Sequence, residues 1–127
     1  MKQNLINQVA VNGYDVVEYF VAETKKGNNT ISYHYNGGNY YFSSEDNKKK
    51  FIAHPDIYLP QYGGFCAIAM GKGKAVNPSP KSFKIQEGKL YLFTRTYCGI
   101  IDLQRKWNKD PIGKKIMAYN VWAKLYS

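Results

Sequence analysis

The sequence predicts a single α+β domain in which small antiparallel β-hairpins pack against three to four short helices. Three observations carry that expectation. Residues 31–43 and 83–93 each read as strand, glycine-containing turn and strand, with apolar and polar residues alternating. Segments with helical spacing and capping residues follow each hairpin. The chain has 127 residues, 44% apolar and 21% charged, which suits one domain with a core that needs no disulfide or structural metal.

Taken in order, residues 9–13 form a short extended lead-in, in which Asn12-Gly13 makes a turn. Asp15 is placed to cap a turn or two of helix through residues 16–20. Residues 24–29 form a polar loop. Ile31, Tyr33 and Tyr35 then alternate with Ser32, His34 and Asn36, the period of a half-buried strand. Gly37-Gly38 is expected as the hairpin turn, with residues 39–43 returning. Ser43 or Ser44 caps a helix that opens with Glu45 and Asp46 and runs to about His54, where Pro55 ends it.

Gly63-Gly64 breaks regularity before the small apolar run 65–70, read as a tightly packed helix. Residues 71–80 form a long basic loop without the spacing of a phosphate loop. The second hairpin turns at Glu87-Gly88. Asp102 caps a helix carrying Leu103, Lys106 and Trp107. Pro111 opens the last helix, whose buried face is expected from Ile112, Ile116, Tyr119 and Ala123, with Trp122 close to it.

Tyrosine is the compositional outlier. Twelve Tyr, six Phe and two Trp supply much of the apolar area, so the core should carry polar edges wherever a hydroxyl needs a partner. The net charge of +9 comes from 18 Lys and Arg against nine acids. Arg95 and Arg105 are the two arginines, and the lysines are scattered. That distribution argues for a solvated surface and against a nucleic-acid partner, since arginine is the residue suited to bidentate phosphate and base contacts. No apolar run approaches the ~20 residues of a membrane span, and the first six residues lack the apolar stretch of a signal peptide. Neither a Ser-His-Asp constellation nor an HExxH, Walker or Rossmann motif is present.

Several ordered segments resemble the YHS domain family. Tyr33-His34, a glycine turn, Tyr40-Tyr41-Phe42-Ser43, and Phe51 followed by Pro55 and Tyr58 carry the likeness. Gly13, Tyr14, Asp15, Val17, Tyr19 and Phe20 before the hairpin, and residues 62–67 after it, are similar to segments of stand-alone bacterial relatives. The likeness is best over residues 13–66, and residues 83–126 look like the hairpin and Trp-containing helices that extend such relatives. The resemblance implies a small module, several of whose members bind metal ions, and it tilts the compartment toward export. The cysteines of the metal-binding branch are replaced here by Ser43 and Asn47 and are missing from the N-terminal segment, so a thiolate site does not carry over.

Cys66 sits near an expected helix N-terminus, where a thiolate is favoured; as a metal ligand it would anchor copper or zinc, with His34 or Asp15 assisting. Three roles stay open for it: a small core residue, a soft-metal ligand, or a reactive thiol. His34 reads as a strand-face imidazole with a hydrogen-bond partner or as a ligand. His54 reads first as a helix C-terminal residue, and Asp15 first as an N-cap. A pocket floored by Cys66, ringed by Tyr14, Tyr19, Tyr62 and Phe65 and lipped by Asp15, is the expected site. The sequence supports a non-enzymatic binding protein, for a transition metal or, alternatively, for a metal-free small molecule or protein; a thiol-dependent enzyme is the weaker alternative. Oligomeric state is not readable, and a disulfide between Cys66 and Cys98 is left open by spacing alone.

Overall fold

The first hairpin turns one residue earlier than its glycine pair suggests. In the computed structural model, which describes residues 3–21, 23–96 and 101–126 but not the side chains of Thr96 and Ile101, β3 (Asn28–Tyr35) pairs antiparallel with β4 (Gly38–Phe42), Tyr35 opposite Gly38. Asn36 and Gly37 are the two turn residues, both at positive φ (51° and 83°), the Asn-Gly type I′ geometry that matches strand twist. Gly38 is needed for a different reason. A Cβ there would lie 2.6 Å from the Leu5 side chain.

Leu5 belongs to β1 (Leu5–Ile6), which pairs with β2 (Val9–Ala10). β2 then pairs parallel with β4, completing a four-stranded sheet in the order β1-β2-β4-β3. On this sheet lies α1 (Glu45–Ala53), capped by Ser44, whose side chain accepts from the Asn47 N–H. Phe51 is fully buried and meets Tyr33, Tyr35, Tyr40 and Phe42 at ring-centroid distances of 4.9–6.2 Å. Pro55 ends α1 as expected and also opens the one-turn helix α2 (Pro55–Tyr58).

The C-terminal half is built on the second hairpin. β5 (Ser79–Gln86) and β6 (Lys89–Phe93) pair through a Glu87-Gly88 turn, both residues at positive φ. β7 (Arg95–Thr96) and β8 (Ile101–Asp102) form a further small pair. α3 (Ala67–Gly71), α4 (Gln104–Lys109) and α5 (Pro111–Tyr126) surround this hairpin. Asp102 accepts from the Gln104 N–H at 3.0 Å, but the N-cap of α4 is Leu103, so Asp102 sits one residue ahead of the capping position expected for it. The expected Phe65-to-Met70 helix is shorter than its apolar run, beginning at Ala67 with Cys66 at the N-cap.

Three apolar clusters form the core. One packs Phe51 and Tyr40 under the first sheet, a second joins Tyr19 to Leu90 and Leu92, and the third holds Cys66, Tyr91, Phe93, Trp107 and Ala118. A bridge between Pro60 and Leu90, together with the Tyr19–Phe83 ring contact, links the halves. The whole is one α+β domain, as the two hairpins predicted. Among the described residues no helix is long and apolar enough to cross a membrane.

α5 is rotated about its axis from the face its periodicity suggests, with Trp122 against the core as expected. Ala118 is buried, with Val121, Trp122 and Tyr126 packed against the third cluster. Ile112, Ile116 and Tyr119 stand outside, 53–65% exposed. Small residues decide this. A Cβ on Gly71 of α3 would lie 3.2 Å from Met117 Sδ and 3.8 Å from the Ala118 nitrogen, so the helices approach through Gly71 and Ala118, leaving no room for the larger Ile116 between them.

Candidate ligand-binding cleft

Asp15, expected at the lip of a pocket, is instead fully buried and saturated with donors. Its Oδ1 accepts from the Val17 N–H at 2.9 Å and the Glu18 N–H at 3.4 Å. Its Oδ2 accepts from the Ser43 N–H at 2.7 Å, the Ser43 hydroxyl at 2.8 Å and the Asn47 amide at 2.9 Å. The first set is the capping role read from sequence. The second ties that turn to the end of β4 and the first turn of α1. With both oxygens engaged, the carboxylate is a structural clasp.

Cys66 is likewise fully buried, and its thiol is free. Its Sγ accepts from the Thr94 N–H at 3.2 Å, while its own N–H donates to Val76. A residue with no exposed surface does not floor an open pocket; the expectation is corrected on that point. The pairing with Cys98 falls on a residue outside those described. His34 lies elsewhere, exposed on β3 with Nδ1 2.8 Å from Asn39 Oδ1. Among the described residues no three or more His, Cys, Asp and Glu side chains group as a metal site would require, so Cys66, His34 and Asp15 do not form one.

The expected aromatic ring is also divided. Tyr62 and Phe65 share the cluster of Cys66. Tyr19 is buried with Leu90 and Leu92 and donates to the Pro80 carbonyl, and Tyr14 packs against that group. Of the four, Tyr62 reaches an open cavity, and it reaches two.

The geometry that places Tyr62 is local. Pro60 leads into a 3-10 turn, Gln61–Gly64, in which Tyr62, Gly63 and Gly64 all adopt positive φ (57°, 64° and 84°). A left-handed tyrosine is uncommon and is held by its surroundings: its hydroxyl donates to the Lys115 carbonyl of α5 at 3.3 Å, and its ring lies 5.9 Å from Tyr91 and 6.4 Å from Trp122. Burial pushes the Tyr62 phenol well above its ordinary value, with Tyr91 adding to the shift. The phenol is therefore a neutral hydrogen-bond donor.

A cleft of about 260 Å³ opens on one side of Tyr62, with Tyr40, Leu59, Pro60, Tyr119 and Trp122 in its walls and Asp56 as the single ionisable group besides the tyrosines among the described residues that line it. A second cleft of about 300 Å³ opens toward β6, lined by Tyr91, Ile116, Lys89 and the Lys115–Glu87 ion pair. Gln61, Tyr62 and Tyr119 line both. The two are halves of one apolar surface divided by a Tyr62/Tyr119 saddle, and the exposed α5 stripe of Ile112, Ile116 and Tyr119 continues it. Sequence reasoning missed Tyr119 as a cleft residue by assigning it to the core face of α5, whereas Trp122 packs against the core as expected and also reaches the cleft. The 112/116/119 periodicity was the available signal.

No protein-family model, curated protein or solved structure matches the chain.

Proposed function

We propose that the protein is a non-enzymatic binding module that takes an extended, metal-free peptide segment bearing two apolar or aromatic side chains, one in each cleft beside Tyr62. One observation carries this reading: two adjoining clefts share a saddle of Tyr62 and Tyr119 and run onto an exposed apolar helix stripe. Paired small clefts suit successive side chains of a chain more than one compact molecule, and aromatic walls supply contact area at low entropic cost. The Asn36 and Gln61 amides at the cleft margins offer donors and acceptors for the backbone of such a segment, beside Gln3, which itself donates to the Asn36 carbonyl and accepts from the Tyr40 hydroxyl. The likeness of residues 13–66 to YHS domains belongs to the same proposal, a small module whose task is to bind.

The test is selection of binding peptides from a random display library, followed by affinity measurement on wild type, Tyr119→Ala and Trp122→Ala. The expected peptides carry two large apolar residues and lose at least about tenfold in affinity to Tyr119→Ala, some 1.4 kcal/mol. Peptides that bind both variants as tightly as wild type would overturn the proposal, as would a selection without enrichment.

A further inference from the structure

A further cavity lies along the N-terminal part of the first sheet and shares no lining residue with the two clefts. It is an open groove of about 790 Å³ between the β1–β2 turn, the Asn12-Gly13 turn, the segment 25–29 and the end of β4. Lys25 and Lys26 line it together with Asn7, Asn12, Asn28 and Asn29, and among the described residues no acidic side chain does.

The groove is held rigidly. The Asp15 N–H donates to the Lys25 carbonyl and the Gly27 N–H to the Gly13 carbonyl, both at 2.8 Å, with Tyr14 and Lys26 bridged between them. The two lysines thus project from a pinned strand-like segment, where a loop would leave them to wander. Gly27 lets that segment close on β4: a Cβ there would lie 2.3–2.6 Å from the Tyr41 and Phe42 backbone. Asn28 is oriented in turn, its Oδ1 accepting from the Thr30 N–H and hydroxyl at 2.9 and 2.8 Å, which leaves its amide hydrogens for an external acceptor. Opposite, Asn7, Gln8, Val11 and Asn12 all hold positive φ (52–68°). Such a run of left-handed residues, one of them β-branched, is costly backbone maintained beside a cavity.

Carboxamides present a donor and an acceptor side by side, the match for neighbouring hydroxyls on a ring. The half-buried Tyr41, its ring packed beside Gly13, adds an aromatic side chain to the lining of the same groove. Two ammonium groups without a competing carboxylate add the requirement for negative charge. We infer that this groove binds an acidic saccharide, a hydroxyl-rich ring carrying carboxylate or sulfate, at a site separate from the peptide clefts.

Calorimetric titration with a heparin-derived tetrasaccharide, an oligogalacturonate and neutral maltotetraose tests this on the full chain. The two acidic sugars should bind and the neutral one should not; binding of both favours carboxylate recognition, and binding of the heparin fragment alone assigns sulfate. Lys25→Glu/Lys26→Glu should lose at least about tenfold, and Lys25→Gln/Lys26→Gln should lose part of that. Lys49→Glu/Lys50→Glu, which makes the same change in net charge on exposed positions of α1, should stay within about threefold of wild type. Equal losses in the groove and α1 variants would reduce the effect to net charge and overturn the inference. So would inorganic sulfate competing as well as the tetrasaccharides, or no binding at all. Tyr119→Ala leaves saccharide binding unchanged on this account, so failure here and failure of the peptide proposal are told apart.

Discussion

Replacing Asp15 by Asn removes a charge and turns an acceptor into a donor at a position where every partner is a donor. Five hydrogen bonds converge on the carboxylate at 2.7–3.4 Å, and the side chain has no exposure to water. Whichever way the amide is turned, its NH₂ faces at least one well-formed backbone N–H, that of Val17 or that of Ser43. Hydrogen bonds to a charged group contribute about 1.5–3 kcal/mol each, and an orphaned buried donor costs about 1–3 kcal/mol. One lost contact plus the weakening of the others gives a destabilisation of about 3 kcal/mol, a large share of the 5–15 kcal/mol typical of a domain (roughly). In urea, with a slope of about 2 kcal/mol per molar, the midpoint should fall by about 1.5 M. Equilibrium unfolding followed by fluorescence of the buried Trp107 measures it. A fall under about 0.5 M would refute the clasp.

Two further outcomes follow from burial. Cys66 should react with a thiol reagent at the rate of global unfolding in native protein and at once in denaturant; rapid labelling of the native thiol, located by peptide mapping, would show it accessible. Burial raises the phenol pKa values of Tyr19, Tyr40 and Tyr62, with Tyr14, Tyr35 and Tyr91 respectively adding to it. The sign is fixed by the neutral form being the one the fold keeps. This contribution is complete below the ordinary value of 10.0 and is lost as pH climbs above it, because the unfolded chain gives up these protons first. Burial raises the Tyr91 phenol as well, with Glu87 adding to it, so tyrosinate absorbance should show four late phenols, and a single ordinary titration of all tyrosines would contradict it.

Much of the fold is legible because local chemistry and long-range packing agree over most of the chain. The Asn12-Gly13 and Glu87-Gly88 turns, the Ser44 cap, Asp15 and Asp102 near helix starts and the alternation of Ile31, Tyr33 and Tyr35 each act within a few residues, whereas the first hairpin turns at Asn36-Gly37 and not at the glycine pair. The parallel pairing of β2 with β4 is not legible, since it joins residues thirty apart through two-residue contacts. α5 misleads because it carries two apolar arcs. Hydrophobicity favours Ile112, Ile116 and Tyr119, whereas the close approach of α3 selects Ala118. The candidate site fails for the same reason at one remove. Residue chemistry singles out Cys66, His34 and Asp15 correctly as unusual, but each satisfies its polar atoms within its own neighbourhood. Tyr62 is recovered, while its partner Tyr119 stands on a helix face that sequence assigns to the interior, and Trp122 serves both the core and the cleft.

The most direct test of the binding account is an NMR titration of isotope-labelled protein with a selected peptide. Shifts should concentrate on the Trp122 indole N–H and on Gln61, Tyr62 and Tyr119, leaving Lys25, Lys26 and Asn29 in place. Shifts centred on the Lys25–Lys26 groove, or spread evenly over the surface, would contradict it.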